Sequence, residues 1–339
     1  MNKISDFIIR NIDNHPYDSA RVVAEQFKIS VQAVNKHIKK LILNDIVGTV
    51  GNTRGRKYFL IQKIYRFTYS ITNTLSESDV WTNDISPHMS SKNNVRKIWN
   101  YGFCEMFNNA IEHSQGTDIK VIVAQDVIKT QIIIIDKGIG IFKNIQNKFN
   151  LSNEHESILE LSKGKLTTDS TKHPGEGVFF TSRVFDKFFI MSDGIVFTHN
   201  NDSDYLFDNE YSKDIVNGTL VVLELNNDSS RELKDVFDKF IGEDYGFDKT
   251  IIPIELAKYG DENLVSRSQA RRILNRVNLF KHVILDFNNV SQIGQAFADE
   301  IFRVFAQEHK NIKFEYINAS DDVKKMISHV MVSNINNIQ

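Results

Sequence analysis

The strongest constraint on the fold is a run of four isoleucines, QIIIIDKGIGIF, that ends in Asp136 and two closely spaced glycines. A short apolar run of β-branched residues bounded by turn residues predicts a buried β-strand. Gly138 and Gly140 predict a sharp turn directly after it, because glycine permits backbone conformations that a Cβ forbids. A carboxylate at such a strand end can accept a hydrogen bond from a ligand amine. A tight turn with a solvated Asp136 is the alternative for this segment alone.

A helix is predicted over residues 101–114, YGFCEMFNNAIEHS. Its i, i+3, i+7 spacing predicts that one face packs on the core; this face carries Cys104, Phe107 and Ile111. Glu105 and Asn109 lie one turn apart on another face, together with Glu112. A carboxylate there can orient a nucleophile and an amide oxygen can bind Mg²⁺, whereas the alternative is a solvated helix face.

A third motif, HPGEGVFFTSRVFD, places Gly175 and Gly177 just before a predicted helix. Backbone N–H groups at a helix start bind anions, and glycine lets a phosphate come close. A long polar segment, 143–173, precedes this motif and is of a length typical of a lid or a disordered loop. Three lysines near its end are candidates to meet phosphate charge: Lys163, Lys165 and Lys172.

Taken in this order, the three motifs resemble the GHKL (histidine kinase-like) ATPase superfamily over roughly residues 91–228. A fourth motif, NGTLVVLEL, is similar to the strand on which that family places a threonine near the aspartate, here Thr219 after Gly218. The resemblance implies Glu105 as general base, Asn109 as magnesium ligand and Asp136 as adenine reader. ATP and Mg²⁺ are therefore the expected cofactors, with a cofactor site formed by Asn109, Asp136, Gly138, Gly140, Lys165, Gly175, Gly177 and Thr219.

Two features distinguish this chain from other ATP-using proteins. The phosphate loop GxxxxGK[ST] is absent, so a Walker-type ATPase is excluded. Residues 61–95 hold a single histidine, His88, beside a proline and without a long amphipathic helix. Autophosphorylation on histidine is therefore not expected.

The amino-terminal 60 residues are basic, with ten lysines and arginines against five acidic residues. Ser19 and Ser30 are candidate caps of two helices, and 47–60 predicts a hairpin with a basic turn. The segment resembles a winged helix-turn-helix, which implies DNA binding, although such domains also bind proteins. The candidate DNA contacts are Gln32, Asn35, Lys36 and Lys39 on the second helix, and Arg54, Arg56 and Lys57 on the wing.

The carboxy-terminal part alternates strand and helix from Ile251 to Met326, which predicts a small α/β domain. HVILDFNNVSQIGQAFADEIF resembles the strand-turn-helix of STAS domains, in which a GHKL kinase phosphorylates a helix-start serine. Ala296 stands at that position, and we interpret Ser291 as a turn residue. The whole chain resembles bacterial ATP-binding proteins with a STAS-like domain of unknown function. A charged set is expected to form ion pairs or to dock on the ATP-binding domain: Arg267, Arg271, Arg272, Asp299, Glu300 and Arg303.

We therefore expect a multidomain α/β and α+β protein, with a winged helix-turn-helix at 1–60, a connector at 61–90, a GHKL α/β sandwich at 91–240 and a STAS-like α/β domain at 245–335. The single cysteine, the absence of a signal peptide and the absence of an apolar run of about 20 residues favour the cytoplasm. We expect a homodimer without membrane contact that binds DNA through 1–60 and a protein partner through the STAS-like domain.

Three functions remain open. The favoured hypothesis is a Mg-ATP-binding transcription regulator that is a slow ATPase through Glu105 and couples nucleotide state to DNA affinity. The second is a serine/threonine kinase of the anti-sigma type that acts on a separate partner. The third is a non-enzymatic, ATP-dependent assembly module.

Overall fold

The computed structural model describes residues 2–52, 55–89, 92–166, 175–200, 203–208, 218–242, 246–258 and 262–332, with the backbone alone for 200 and 203–208. The fold is a mixed α/β structure, as expected, and its elements form an N-terminal unit (2–60), a central unit (63–242) and a C-terminal unit (246–332). No helix in the described part of the chain is both long and apolar enough to cross a membrane.

The N-terminal unit consists of helices followed by an antiparallel hairpin, in which Val47 pairs with Leu60. Ser30 caps the third helix as expected, since its side chain accepts a hydrogen bond from the Ala33 amide at 3.2 Å. Ser19 does not cap the second helix but begins it, and its hydroxyl instead donates to the His15 carbonyl. The unit has its own core around Ile8, onto which Ile128 of the central unit also packs. Its elements are α1 (Lys3–Asn11), α2 (Ser19–Phe27), α3 (Val31–Leu43), β1 (Val47–Val50) and β2 (Lys57–Leu60).

The central unit is an antiparallel sheet covered by helices. Within the described residues it has seven strands in the order β3-β4-β5-β9-β6-β7-β8. The isoleucine run forms β5, in which Ile132 and Ile134 are buried while Ile133 and Ile135 are only partly covered. Strand β5 pairs with β9, so that Ile135 lies opposite Leu220. The strands are β3 (Lys63–Ser70), β4 (Asp118–Gln125), β5 (Lys129–Asp136), β6 (Lys187–Ser192), β7 (Ile195–Asn200), β8 (Ser203–Asp208) and β9 (Leu220–Asn226).

The helices of this unit are α4 (Glu77–Val80), α5 (Asn93–His113), α6 (Ile141–Phe149), α7 (Glu154–Lys163), α8 (Gly177–Val184) and α9 (Leu233–Asp238). Helix α5 begins eight residues before the predicted start, and its buried face is set by Trp99, Phe103 and Phe107. Of the predicted inward stripe, Phe107 is fully buried, whereas Cys104 and Ile111 pack against the core but are only partly buried.

Two segments expected to be largely irregular are part of the central unit. Residues 61–90, expected to be a connector that can form one strand, supply that strand as β3, which pairs with β4 along the edge of the sheet, and also α4. The polar segment after Phe142, expected to be a loop, contains α6 and α7. Helix α7 is regular despite its polarity because the Asn153 side chain caps it and because Glu160 and Lys163 are buried and bond to the C-terminal unit.

The C-terminal unit contains, in its described residues, a parallel sheet in the order β10-β11-β12 with helices between the strands, as the alternating pattern predicted. Ser266 and Gln269 form a reciprocal capping box at the start of α10. The buried residues of this unit and of the central unit form one continuous core, with α7 packed on β10. The elements are β10 (Lys249–Pro253), α10 (Arg267–Leu274), β11 (His282–Asp286), α11 (Gln295–Asp299), α12 (Ala306–Glu308), β12 (Lys313–Ile317) and α13 (Asp321–Val332).

Candidate functional site

A cavity of about 230 Å³ lies in the central unit, between α5, the strands β5 and β9, and the start of α8. It brings together residues as far apart in the sequence as Glu105 and Thr219. Six of the predicted site residues line it: Glu105, Asn109, Asp136, Gly175, Gly177 and Thr219.

Asp136 lies at one end of this cavity, where β5 ends and β9 begins. Its side chain is 5% exposed, and its Oδ1 accepts hydrogen bonds from the amides of Gly138 at 2.9 Å and Thr219 at 3.2 Å. Burial raises the pKa of the Asp136 carboxyl, and the hydrogen bonds from Gly138 and Thr219 partly oppose that rise. Both amides bond to Oδ1, and the Thr219 side chain also interacts with this carboxyl group, so the lone pairs available to a ligand are mainly those of Oδ2.

Gly138 and Gly140 do not line the cavity, and their role is to shape the turn beside it. A Cβ on Gly138 would lie 1.8 Å from the Ser114 carbonyl oxygen, so only glycine fits against the end of α5. Gly140 has φ +84° and precedes the first residue of α6. The Thr219 hydroxyl accepts a hydrogen bond from the Ile141 amide at 3.1 Å, which ties the turn to β9.

The opposite end of the cavity is acidic. A Cβ on Gly177 would lie 2.1 Å from Oε2 of Glu105, so the Glu105 carboxylate sits directly against the first residue of α8. Tyr101 and Glu176 also line this end. Burial, and then the charges of Glu105 and Glu176, raise the pKa of Tyr101. Burial also raises the pKa of Glu176, an effect that the charge of Lys165 partly offsets.

Sequence reasoning did not identify Tyr101, Glu176 or the apolar wall of the cavity. Tyr101 precedes Glu105 by one helical turn, and Glu176 stands between the two predicted glycines. Both residues could therefore have been recognised from the sequence motifs. The wall was not, because its residues come from several separate elements. It includes Ile134, Ile145, Leu161, Leu166, Phe179, Ile190, Val221 and Phe237.

Of the predicted phosphate-binding lysines, the two that the structure describes, Lys163 and Lys165, do not line the cavity. The Lys165 ammonium donates to the Leu279 carbonyl at 2.8 Å and lies 3.6 Å from Asp248, so it faces the C-terminal unit. Lys163 is fully buried and pairs with Glu160 at 2.7 Å. The physical reason is that α7 packs on the C-terminal unit rather than extending as a polar loop. Lys172 lies outside the described residues.

The N-terminal unit presents a basic surface on α3 and on the hairpin. Gln32, Lys36 and Lys39 are exposed on α3, and Asn35 between them is half-buried. On the hairpin, Arg56 and Lys57 are exposed, and Arg54 lies outside the described residues. These side chains are therefore placed to meet a ligand from solvent.

The charged residues of the C-terminal unit form ion pairs. Arg271 bonds to the buried Glu300 at 2.7 Å, and Arg267 lies 3.3 Å from Asp299, which also accepts hydrogen bonds from Arg303. A further member of the set reaches the central unit, since Arg272 lies 3.8 Å from Glu156 of α7. Both expectations for this set, ion pairing and contact with the neighbouring unit, are met.

The described residues contain no group of three or more His, Cys, Asp or Glu side chains arranged to hold a metal ion. Ala296 lies exposed in the first turn of α11, where a phosphorylatable serine was considered.

No curated protein sequence matches the chain. Residues 269–324 match the family described as a STAS-like domain of unknown function (DUF4325), and the C-terminal unit therefore contains a STAS-like domain.

Proposed function

We propose that the central unit is a GHKL-type domain that binds Mg-ATP, and that the protein couples its nucleotide state to DNA binding. The observation that carries this proposal is the convergence of Glu105, Asn109, Asp136 and Gly177 on one cavity. An apolar chamber with a buried carboxylate at one end and a glycine-started helix at the other has the chemistry that a nucleotide requires.

In this proposal the adenine ring lies between the apolar walls, and its exocyclic amine donates to Oδ2 of Asp136. The phosphates lie near Gly175 and Gly177, where the backbone amides at the start of α8 favour negative charge. Asn109 would hold Mg²⁺, and the charge of the ion would offset that of Glu105 and Glu176 beside the phosphates. Without a cation, these two carboxylates would repel a triphosphate.

Glu105 is the proposed general base. It accepts a proton from a water molecule as the water oxygen bonds to the γ-phosphorus. The bond between the γ-phosphorus and the β–γ bridging oxygen breaks, and the products are ADP and inorganic phosphate. In the kinase alternative, the hydroxyl of a partner protein takes the place of water. In the assembly alternative, nucleotide binds and is not consumed.

The fate of the γ-phosphate distinguishes these functions. Purified full-length protein is incubated with Mg²⁺ and γ-labelled ATP, and free phosphate, labelled protein and bound nucleotide are measured separately. We expect free phosphate to form slowly and Glu105→Gln to reduce its release at least about 100-fold, the scale of general-base catalysis. Glu112→Gln is the matched control, because Glu112 lies on the same helix and does not line the cavity.

Two other outcomes would favour the alternative functions. Label transferred to an added protein would favour the kinase, and binding without turnover in wild type would favour the assembly module. Calorimetry that detects no adenine-nucleotide binding in the presence of Mg²⁺ would refute all three.

The basic N-terminal unit is the proposed DNA-binding part, as a winged helix-turn-helix with α3 in the major groove. Gel-shift assays at low salt, with and without ATP, test this. We expect the double variant Lys36→Ala with Lys39→Ala to bind DNA more weakly. The slope of log affinity against log salt concentration should fall by the amount that corresponds to about two phosphate contacts. Lys324→Ala with Lys325→Ala, in the exposed part of α13, is the control for charge removal. Wild-type protein that fails to bind DNA at low salt would exclude the regulator.

A further inference from the structure

The wall of the cavity is held in place by the STAS-like unit. Leu161 and Leu166 line the cavity from the end of α7 and the segment that follows it. Leu166 also joins the glycine segment, because its amide donates to the Gly175 carbonyl at 3.0 Å. Residues 164–166 are therefore tied directly to Gly175 on the cavity lining.

A buried ionic cluster connects α7 to the C-terminal unit. Lys163 is fully buried, and its ammonium donates to Glu160 at 2.7 Å and to the carbonyls of Arg272 and Asn275 at 2.9 Å each. Glu160, which is 2% exposed, also accepts hydrogen bonds from the Asn275 amide at 3.1 Å and from Arg276 at 2.8 Å. A buried charge is tolerated only when it is paired in this way, and here the partners of Glu160 and Lys163 come from both units.

Arg276 extends this cluster to the cavity wall. Its guanidinium donates to the carbonyls of Gly164 and Lys165, the two residues before Leu166, in addition to Glu160. Its side chain is 15% exposed, so its hydrogen bonds are largely shielded from water. Arg276 itself has a left-handed backbone with φ +59°, a strained conformation for a non-glycine residue that aims the side chain at α7.

A second contact supports the same wall. Phe247 of the C-terminal unit packs on Phe179 of α8, with ring centroids 4.7 Å apart. Phe179 lines the cavity, and both rings close around Gly164, where a Cβ would lie 2.7 Å from Phe247. The C-terminal unit thus contacts the cavity wall on both sides of Gly164.

We infer that Arg276 is a positioning residue for the nucleotide: it holds residues 164–166 against Gly175, so the STAS-like unit completes the ATP site. This inference rests on the proposed function. Any movement of residues 164–166 between nucleotide states must shift or break the contacts of Arg276. The STAS-like unit therefore senses nucleotide state through Glu160 and Arg276.

The test uses the full chain with Arg276→Ala and, as control, Arg271→Ala. Arg271 lies on α10, is 69% exposed and pairs with Glu300 inside the C-terminal unit. We expect Arg276→Ala to weaken Mg-ATP binding about tenfold by calorimetry, and to increase hydrogen exchange at residues 164–166 without nucleotide. Arg271→Ala should change neither.

Arg276→Lys is the second variant, in case the alanine variant does not fold. Lysine keeps the charge beside Glu160 but lacks the planar fork that reaches both carbonyls. We expect its melting temperature to stay near that of wild type while its nucleotide affinity falls. If wild type binds Mg-ATP and the Arg276 variants show unchanged nucleotide affinity and hydrogen exchange, this inference alone is overturned. Wild type that binds no nucleotide would overturn the proposed function and, with it, this role.

Discussion

Substitutions at Asp136 can separate an effect on folding from an effect on the proposed ligand binding. The reason is that the two carboxylate oxygens have different proposed roles. Oδ1 accepts hydrogen bonds from the Gly138 and Thr219 amides inside the protein, and Oδ2 is the proposed acceptor for the nucleotide amine. Asp136→Asn keeps an oxygen for the two amides but can place an NH₂ group where Oδ2 was. Asp136→Ala removes both oxygens.

The two substitutions have different expected magnitudes. Alanine leaves two backbone amides without an acceptor, at about 1–3 kcal/mol each, so we expect unfolding free energy to fall by about 2–6 kcal/mol. Asparagine keeps both hydrogen bonds and removes a buried charge, so we expect it to be at least as stable as wild type at neutral pH. Both variants should lose nucleotide affinity, by about 1.5–3 kcal/mol for the asparagine, or roughly 10- to 150-fold.

The pH dependence of stability provides an independent check. Because burial raises the pKa of Asp136 in the folded protein, its carboxyl contributes stability at low pH that is lost as pH rises through the raised pKa. Asparagine does not titrate, so its stability relative to wild type should increase with pH over that range and then stay constant. Denaturant unfolding between pH 4 and 7 measures this difference. An asparagine variant as unstable as the alanine variant, or one that binds ATP like wild type, would refute the reasoning.

Three further predictions follow from local geometry. Gly177→Ala should change stability by less than about 1 kcal/mol but reduce phosphate release at least about tenfold, because the new Cβ displaces the Glu105 carboxylate; unaltered release would contradict this. Burial, and then neighbouring carboxylates, raise the pKa of the Cys104 thiol to about 12. Iodoacetamide at pH 8 should therefore modify the folded protein at least about 100-fold more slowly than the unfolded protein. Equal rates would show that the thiol of the folded protein is reactive. Ser30→Ala should destabilise the N-terminal unit by about 1 kcal/mol through loss of the cap on the Ala33 amide, and Ser30→Thr, which keeps the hydroxyl, should not.

Local patterns predicted much of the architecture. The isoleucine run, the glycine turn after Asp136 and the Ser30 cap depend on neighbours within a few residues, and the structure places each where it was expected. The proximity of Asp136 and Thr219 was expected only from the resemblance to a known family, and the pairing of β5 with β9 produces it. The predicted C-terminal alternation likewise appears as a parallel sheet.

Other features depended on residues far apart in the sequence. Helix α7 lies in the segment 143–173, which was predicted as a lid or loop from its length and polarity, yet two of its charged residues, Glu160 and Lys163, are buried. Their burial is tolerable because Arg276, more than a hundred positions later, and nearby backbone carbonyls compensate the charges. The periodicity of a segment indicates whether it has an apolar face. It does not indicate whether an arginine far away in the sequence will pair with the charged residues of that segment. The strand end and its glycine turn were thus determined by short-range chemistry, whereas only tertiary packing decided that Lys163 and Lys165 contact the C-terminal unit rather than the cavity.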